Sequence, residues 1–226
     1  MDQQANHKQL VAALKEIADP KAVVGVARFF WADPNGHSSD TKFLGVSHGK
    51  IFLIAKKFTD MSLADVEKLL ENRFYEVRMG AVSIMDFQAR NKRITPEERK
   101  ALFDLYIRRH DRINNWDLVD RAAPYVVGGY LADKPREILY KLARSRNPWE
   151  RRTAIVSTYY FIRSGDLDDT FGIAEILVND KHELVQKAVG SWIREAGKKD
   201  QKRLLSFLDK HAKTMPRTIL RAAQRG

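Results

Sequence analysis

Four short segments of this chain resemble one another: VRMGAV (77–82), VDRAAP (119–124), RRTAIV (151–156) and VQKAVG (185–190). Each carries a small residue where two helices would have to pack closely. Anchored on Ala81, Ala122, Ala154 and Ala188, they recur at steps of 41, 32 and 34 residues, about one helical hairpin with its turns. A hairpin of that size cannot bury its apolar face alone, so it must stack on its neighbours. The recurrence predicts an all-α fold of HEAT-like helical repeats forming a right-handed α-superhelix, whose concave face collects one helix from each repeat. The uneven steps mark a degenerate array, and 226 residues suit one continuous domain, 1–226.

Local patterns agree. Leu10, Leu14 and Ile17 stripe one helix, and Val66, Leu69 and Leu70 another, with Ser62 as its N-cap and Asp65 at the third position. Thr95, Pro96 and Glu98 form a capping box; Asn147 and Pro148 start a helix in the same way. The β-branched run AIVSTYYFI follows that cap and is expected to be a buried helix. ADPNGHSSDTKF (32–43) is expected to be a surface loop.

Lys and Arg number 40 against 29 Asp and Glu, a formal charge of +11, which suits a polyanionic partner, nucleic acid ahead of a membrane. The absence of Cys excludes disulfides, thiolate chemistry and Cys-based zinc sites and fits a reducing cytosol. The polar start MDQQANHKQL has no signal-like apolar core, and no 18-residue apolar run exists, so neither secretion nor a membrane span is expected. GVSHGK (45–50) falls one residue short of a phosphate loop and is followed by Ile51, so it reads as the turn that starts a helix. No His pair has metal-ligand spacing; His37, His48 and the others read as surface residues, and no metal is expected. No Gly-x-Ser-x-Gly elbow occurs.

The basic residues recur in register. Arg78, Arg151, Arg152 and Lys187 share a place at the start of a second repeat helix, and Arg217, Arg221 and Arg225 are spaced by four. Equivalent positions of stacked repeats face one side, so these residues are candidates for a basic concave face that holds phosphates. Within that basic chain, INNWDLVDRAAP (113–124) sets Trp116, Asp117 and Asp120 in the first turns of a helix. Trp116 and Asp120 share a face, while Asp117 points about 100° away. By residue type alone, Trp116 reads as a core plug or a site residue, and Asp120 as a helix-dipole charge or a catalytic anion.

INNWDLVD, NPWERRTAIVSTYYFIRSGD, NDKHELVQKAVG and MPRTILR resemble, in order, the AlkD-type DNA alkylation repair proteins, the HEAT-like repeat DNA glycosylases. The resemblance runs from about Phe43 to the C-terminus. It implies a cytoplasmic, nucleoid-associated monomer acting on duplex DNA. The implied activity is excision of cationic alkylpurines such as 3-alkyladenine and 7-alkylguanine, with no metal or cofactor and no base flipping into a pocket. It places the catalytic Asp on Asp120, the motif tryptophan on Trp116 and a phosphate-binding Arg on Arg152. A fixed carboxylate stabilises the oxocarbenium-like sugar and orients water, and an aromatic face adds cation stabilisation. A base that is already cationic needs no proton donor to leave.

This chain departs from the family at VGSWIRE. Relatives carry a second tryptophan directly after the Gly; here Ser191 stands there, expected to face DNA, and Trp192 follows, turned by about 100° towards the core. The rival readings are a DNA-binding repeat protein with weak or no excision that recognises unusual DNA structure, and a protein–protein scaffold.

Overall fold

The computed structural model describes residues 5–28, 30 and 40–224. Among them all regular structure is helical, apart from one isolated bridge between Lys42 and Phe74. The all-α expectation holds. Contacts divide the chain into two compact units, residues 1–122 and 123–226.

The first unit contains α1 (His7–Glu16), α2 (Val23–Ala27), α3 (His48–Lys56), α4 (Leu63–Leu70), α5 (Tyr75–Ala89), α6 (Pro96–Arg108) and α7 (Trp116–Ala123), whose last residue opens the second unit. Its centre is α5, on which α1, α3, α4 and α6 pack. Every residue of α5 except Phe87 and Gln88 is buried, including Glu76, Arg78, Ser83 and Asp86. A helix enclosed on all sides must satisfy such polar groups internally. Leu10 and Leu14 are fully buried, and the Leu10 side chain lies where a Cβ on Gly80 would come within 3.2 Å. The expected caps form: Ser62 accepts from the Asp65 N–H at 3.2 Å, and the Thr95–Glu98 box closes at both ends.

The second unit contains α8 (Glu137–Ala143), α9 (Pro148–Ser157), α10 (Tyr159–Ser164), α11 (Asp168–Leu177), α12 (Glu183–Gly197), α13 (Gln201–His211) and α14 (Arg217–Gln224). Here α9 and α12 pack on each other; α8 and α11 cover α9, while α11, α13 and α14 cover α12. Before α8 the chain winds as a π turn, Pro124–Gly128, closed by the Gly129 N–H on the Pro124 carbonyl at 3.1 Å. Asn147 caps α9 as expected.

The four repeat anchors Ala81, Ala122, Ala154 and Ala188 are all buried, on α5, α7, α9 and α12. One expectation is revised: AIVSTYYFI is helical but not one helix, because it breaks at Thr158 between α9 and α10. Ser157 donates to the Thr153 carbonyl and Thr158 to the Ile155 carbonyl, both at 2.7 Å, and such back-bonding competes with the helical ladder. Residues 32–39 of the expected loop, with His37 and Arg225, lie outside the described residues.

Candidate functional site

The acidic stretch forms the first turns of α7, and its two carboxylates are in different environments. Asp117 is buried. Its Oδ1 accepts from Asn115 Nδ2 and from the Leu118 N–H, each at 2.9 Å, and its Oδ2 accepts from the Tyr75 hydroxyl. Tyr75, 2% exposed, has its hydroxyl pushed far above the usual phenol range by burial and by the adjacent Asp117 charge. His48 Nε2 lies 2.7 Å from the same hydroxyl and 3.5 Å from Asp117 Oδ2. Because the phenolic proton goes to Asp117, His48 must be the donor in its bond to Tyr75. With Gly25, Val26, Val46 and Ser47, these three side chains line a cavity of about 190 Å³.

Trp116 and Asp120 are half-buried and one helical turn apart. The neighbouring Arg121 anchors the helix. Its guanidinium lies between the Phe52 and Phe87 rings, 4.6 and 4.8 Å from their centres, and pairs with the fully buried Asp86 at 2.7 Å. Burial pushes the Asp86 carboxyl up, against the pull of Arg121 and Arg90. On the preceding loop the N–H groups of Leu44, Gly45 and Val46 all donate to the buried Glu76, which fixes the chain leading to His48.

Arg78 requires a correction. It is wholly buried, donating to the Asn72 carbonyl at 2.8 Å and to Thr41 Oγ1 at 3.0 Å. Burial, with the nearby Arg112 charge, pushes its pKa down to about 10. The shared register position points inward, so Arg78 ties loop to helix instead of meeting phosphate.

In the second unit the same position is again structural. Arg151 clasps Asp180 through Nε and Nη2 at 2.5 and 3.0 Å and donates to the Ser145 and Arg146 carbonyls. Arg152 is 5% exposed and donates to the Leu184 carbonyl, which corrects the expectation that it lies open to phosphate. Lys187 is different: its side chain is half-exposed and pairs with Glu183 at 2.6 Å. Ser191 shares with Lys187 a cleft of about 380 Å³ between α12 and α14, which Arg194, Thr218 and Arg221 also line. Trp192 points elsewhere, donating from Nε1 to the Val156 carbonyl at 3.0 Å beside the Tyr159 ring.

The sequence profile described as DNA alkylation repair enzyme matches residues 10–225. The chain belongs to that family. A solved structure described as a predicted DNA alkylation repair enzyme from Enterococcus faecalis is similar to this family member at a TM-score of 0.69. The match covers 92% of this chain and 95% of that one at 14% identity, and so speaks to fold alone. No curated protein sequence matches. No described helix is long and apolar enough to cross a membrane, and no described cluster of three His, Cys, Asp or Glu is arranged to hold a metal.

Sequence reasoning on this family member missed Tyr75, and it missed that His48, whose side chain is 40% exposed as a surface residue's would be, is also a partner of Tyr75. Neither has a local signal: the network joins residues 42 and 27 positions apart. It also missed Arg194, whose spacing of seven from Lys187 puts it on the same face of α12.

Proposed function

We propose that this family member is a monomeric DNA glycosylase, acting as one domain over residues 1–226, that excises cationic alkylated purines, 3-alkyladenine and 7-alkylguanine, from duplex DNA. The observation that carries the reading is the division of labour on α7. Trp116 and Asp120 share a half-buried face one turn apart, whereas Asp117 is buried and accepts from Tyr75, Asn115 and the Leu118 amide. Asp120 stabilises the positive charge that develops on the deoxyribose as the N-glycosidic bond lengthens, and it orients the water that attacks C1′. Trp116 offers its π-face to the same charge. The cationic base leaves with the bonding electrons and becomes neutral, so the step asks for no general acid; that it uses no metal, cofactor or base-flipping pocket is what the resemblance to the AlkD-type proteins implies. Lys187 and Ser191 face the DNA, and the protein works in the cytoplasm at the nucleoid.

The test is incubation with a duplex containing 7-methylguanine, scored for free base. Release is expected, and Asp120→Asn is expected to reduce it by about 10²-fold or more while DNA affinity is kept. Binding without release from any alkylated duplex would instead favour the second reading, a DNA-binding repeat protein that recognises unusual DNA structure. Ser191 and the commitment of Trp192 to Val156 speak for that alternative, since they leave one aromatic group fewer at the site.

A further inference from the structure

A cleft of about 340 Å³ opens in the first unit between the α3–α4 turn, the end of α5 and α6. No Lys or Arg lines it, although the chain carries 40. Its polar side chains have turned their protons to the protein itself. Thr59 donates from Oγ1 to the Lys56 carbonyl at 2.8 Å, and Ser62 from Oγ to Asp65 Oδ2 at 3.2 Å. Gln88 uses both amide protons, donating from Nε2 to the Thr59 and Met61 carbonyls at 2.7 and 2.8 Å. That fixes its Oε1 as an acceptor, buried and without a donor among the described residues. Asp60, from the turn, and Glu98, from α6, add exposed carboxylates that pair with no described cation. Glu98 commits only Oε2, which accepts from the Thr95 N–H at 2.8 Å. Asn91, whose Oδ1 accepts from the Arg93 N–H at 3.0 Å, is the one lining side chain that keeps protons to offer.

A site that presents acceptors almost alone selects a ligand made of donors. It selects by charge as well: a phosphate would meet two carboxylates and no cation, whereas an ammonium group meets carboxylates and neutral oxygens. The remaining lining is aliphatic, with Met61 and Leu102 buried and Leu63 and Ile94 half-buried, which suits a hydrocarbon body. The volume falls at the lower end of the about 300–1,000 Å³ typical of small-molecule sites, which fits a free small molecule. Because the two carboxylates come from different elements, a chain with a cation at each end matches them better than a single ammonium does. We propose that this cleft binds an aliphatic diamine or polyamine. Its ammonium groups meet Asp60 and Glu98, and its methylenes lie against Met61, Leu63, Ile94 and Leu102. The inference goes beyond the glycosylase reading and stands apart from it, since the cleft shares no residue with the α7 site.

The test is isothermal titration calorimetry of the full chain with putrescine and spermidine at low salt, in the absence of DNA. Saturable binding of one ligand per chain is expected, with n-butylamine, which has a single ammonium group, about tenfold weaker than putrescine. Asp60→Asn and Glu98→Gln are each expected to weaken putrescine about three- to tenfold, as loss of a charged hydrogen bond at an exposed site does. Gln at position 98 keeps the capping box with Thr95, and cooperative melting followed by circular dichroism separates lost binding from lost folding. The comparison of putrescine with n-butylamine on the parent needs no variant. Absence of saturable binding, n-butylamine binding as tightly as putrescine, or parent affinity in both variants would overturn the proposal. So would Nα-acetyl-lysine amide binding as tightly as putrescine, since the cleft would then serve a lysine of a protein partner. Failure of excision or of DNA binding sinks the glycosylase reading and leaves this result unchanged.

Discussion

Replacing Asp117 by Ala would remove the acceptor for three buried donors at once: the Tyr75 hydroxyl, the Asn115 side-chain amide and the Leu118 N–H. Each buried donor left without an acceptor costs about 1–3 kcal/mol. Relief from holding a buried carboxylate offsets part of this, so a net loss of about 3–5 kcal/mol is expected. For a chain of this length that lowers the Tm by roughly 6–20 °C. Asp117→Asn should cost less, about 1–2 kcal/mol: its carbonyl can still accept from Asn115 and Leu118, while Tyr75 turns its proton to the other tautomer of His48. Asp120→Asn, on the half-buried face, should stay within about 1 kcal/mol of the parent. Urea and thermal unfolding measure all three, and single-turnover excision at a temperature where each variant is folded separates stability from chemistry. The reasoning is refuted if Asp117→Ala melts with the parent, or if folded Asp117→Asn loses excision as heavily as Asp120→Asn does.

Trp192→Ala should lower stability by about 1–3 kcal/mol while folded protein keeps most of its activity, because the half-buried indole packs beside Tyr159 and donates to the Val156 carbonyl; unfolding curves paired with excision rates check this. Gly190→Ala should destabilise by about 1–3 kcal/mol, since a backbone carbonyl 2.5 Å from the new Cβ forces α12 and α14 apart; denaturant midpoints measure it. The Tyr140 hydroxyl, donating to Asp169 at 2.9 Å, is pushed up to about 12 by burial and by that carboxylate. Its raised value means a contribution to stability that is complete below pH 10 and lost as pH rises towards 12, and Tyr140→Phe should flatten stability across that window in unfolding experiments followed with phenolate absorbance.

The helical class was legible because its signals are local. Caps at Ser62, Thr95 and Asn147 depend on residues two or three positions away, and the recurring Ala anchors need only helical spacing to be recognised as contact points. The shared face of Trp116 and Asp120 follows from the same periodicity. Direction was harder. A start-of-helix arginine reads as a cation for solvent, yet Arg78, Arg151 and Arg152 turn inward, where carbonyls and Asp180 receive them. The sequence carries the charge of such a group but not its burial.

What the sequence alone determined is therefore the all-α class, the helix starts and the identity of the family stretch around Asp120, all set by short-range geometry and residue type. Only the tertiary structure decided which carboxylate of α7 is enclosed, which cations remain at the surface, and that Tyr75 and His48 join Asp117. Those outcomes depend on contacts between residues tens of positions apart. There the cost of burying a charge is settled by which partners the packing brings within hydrogen-bond reach.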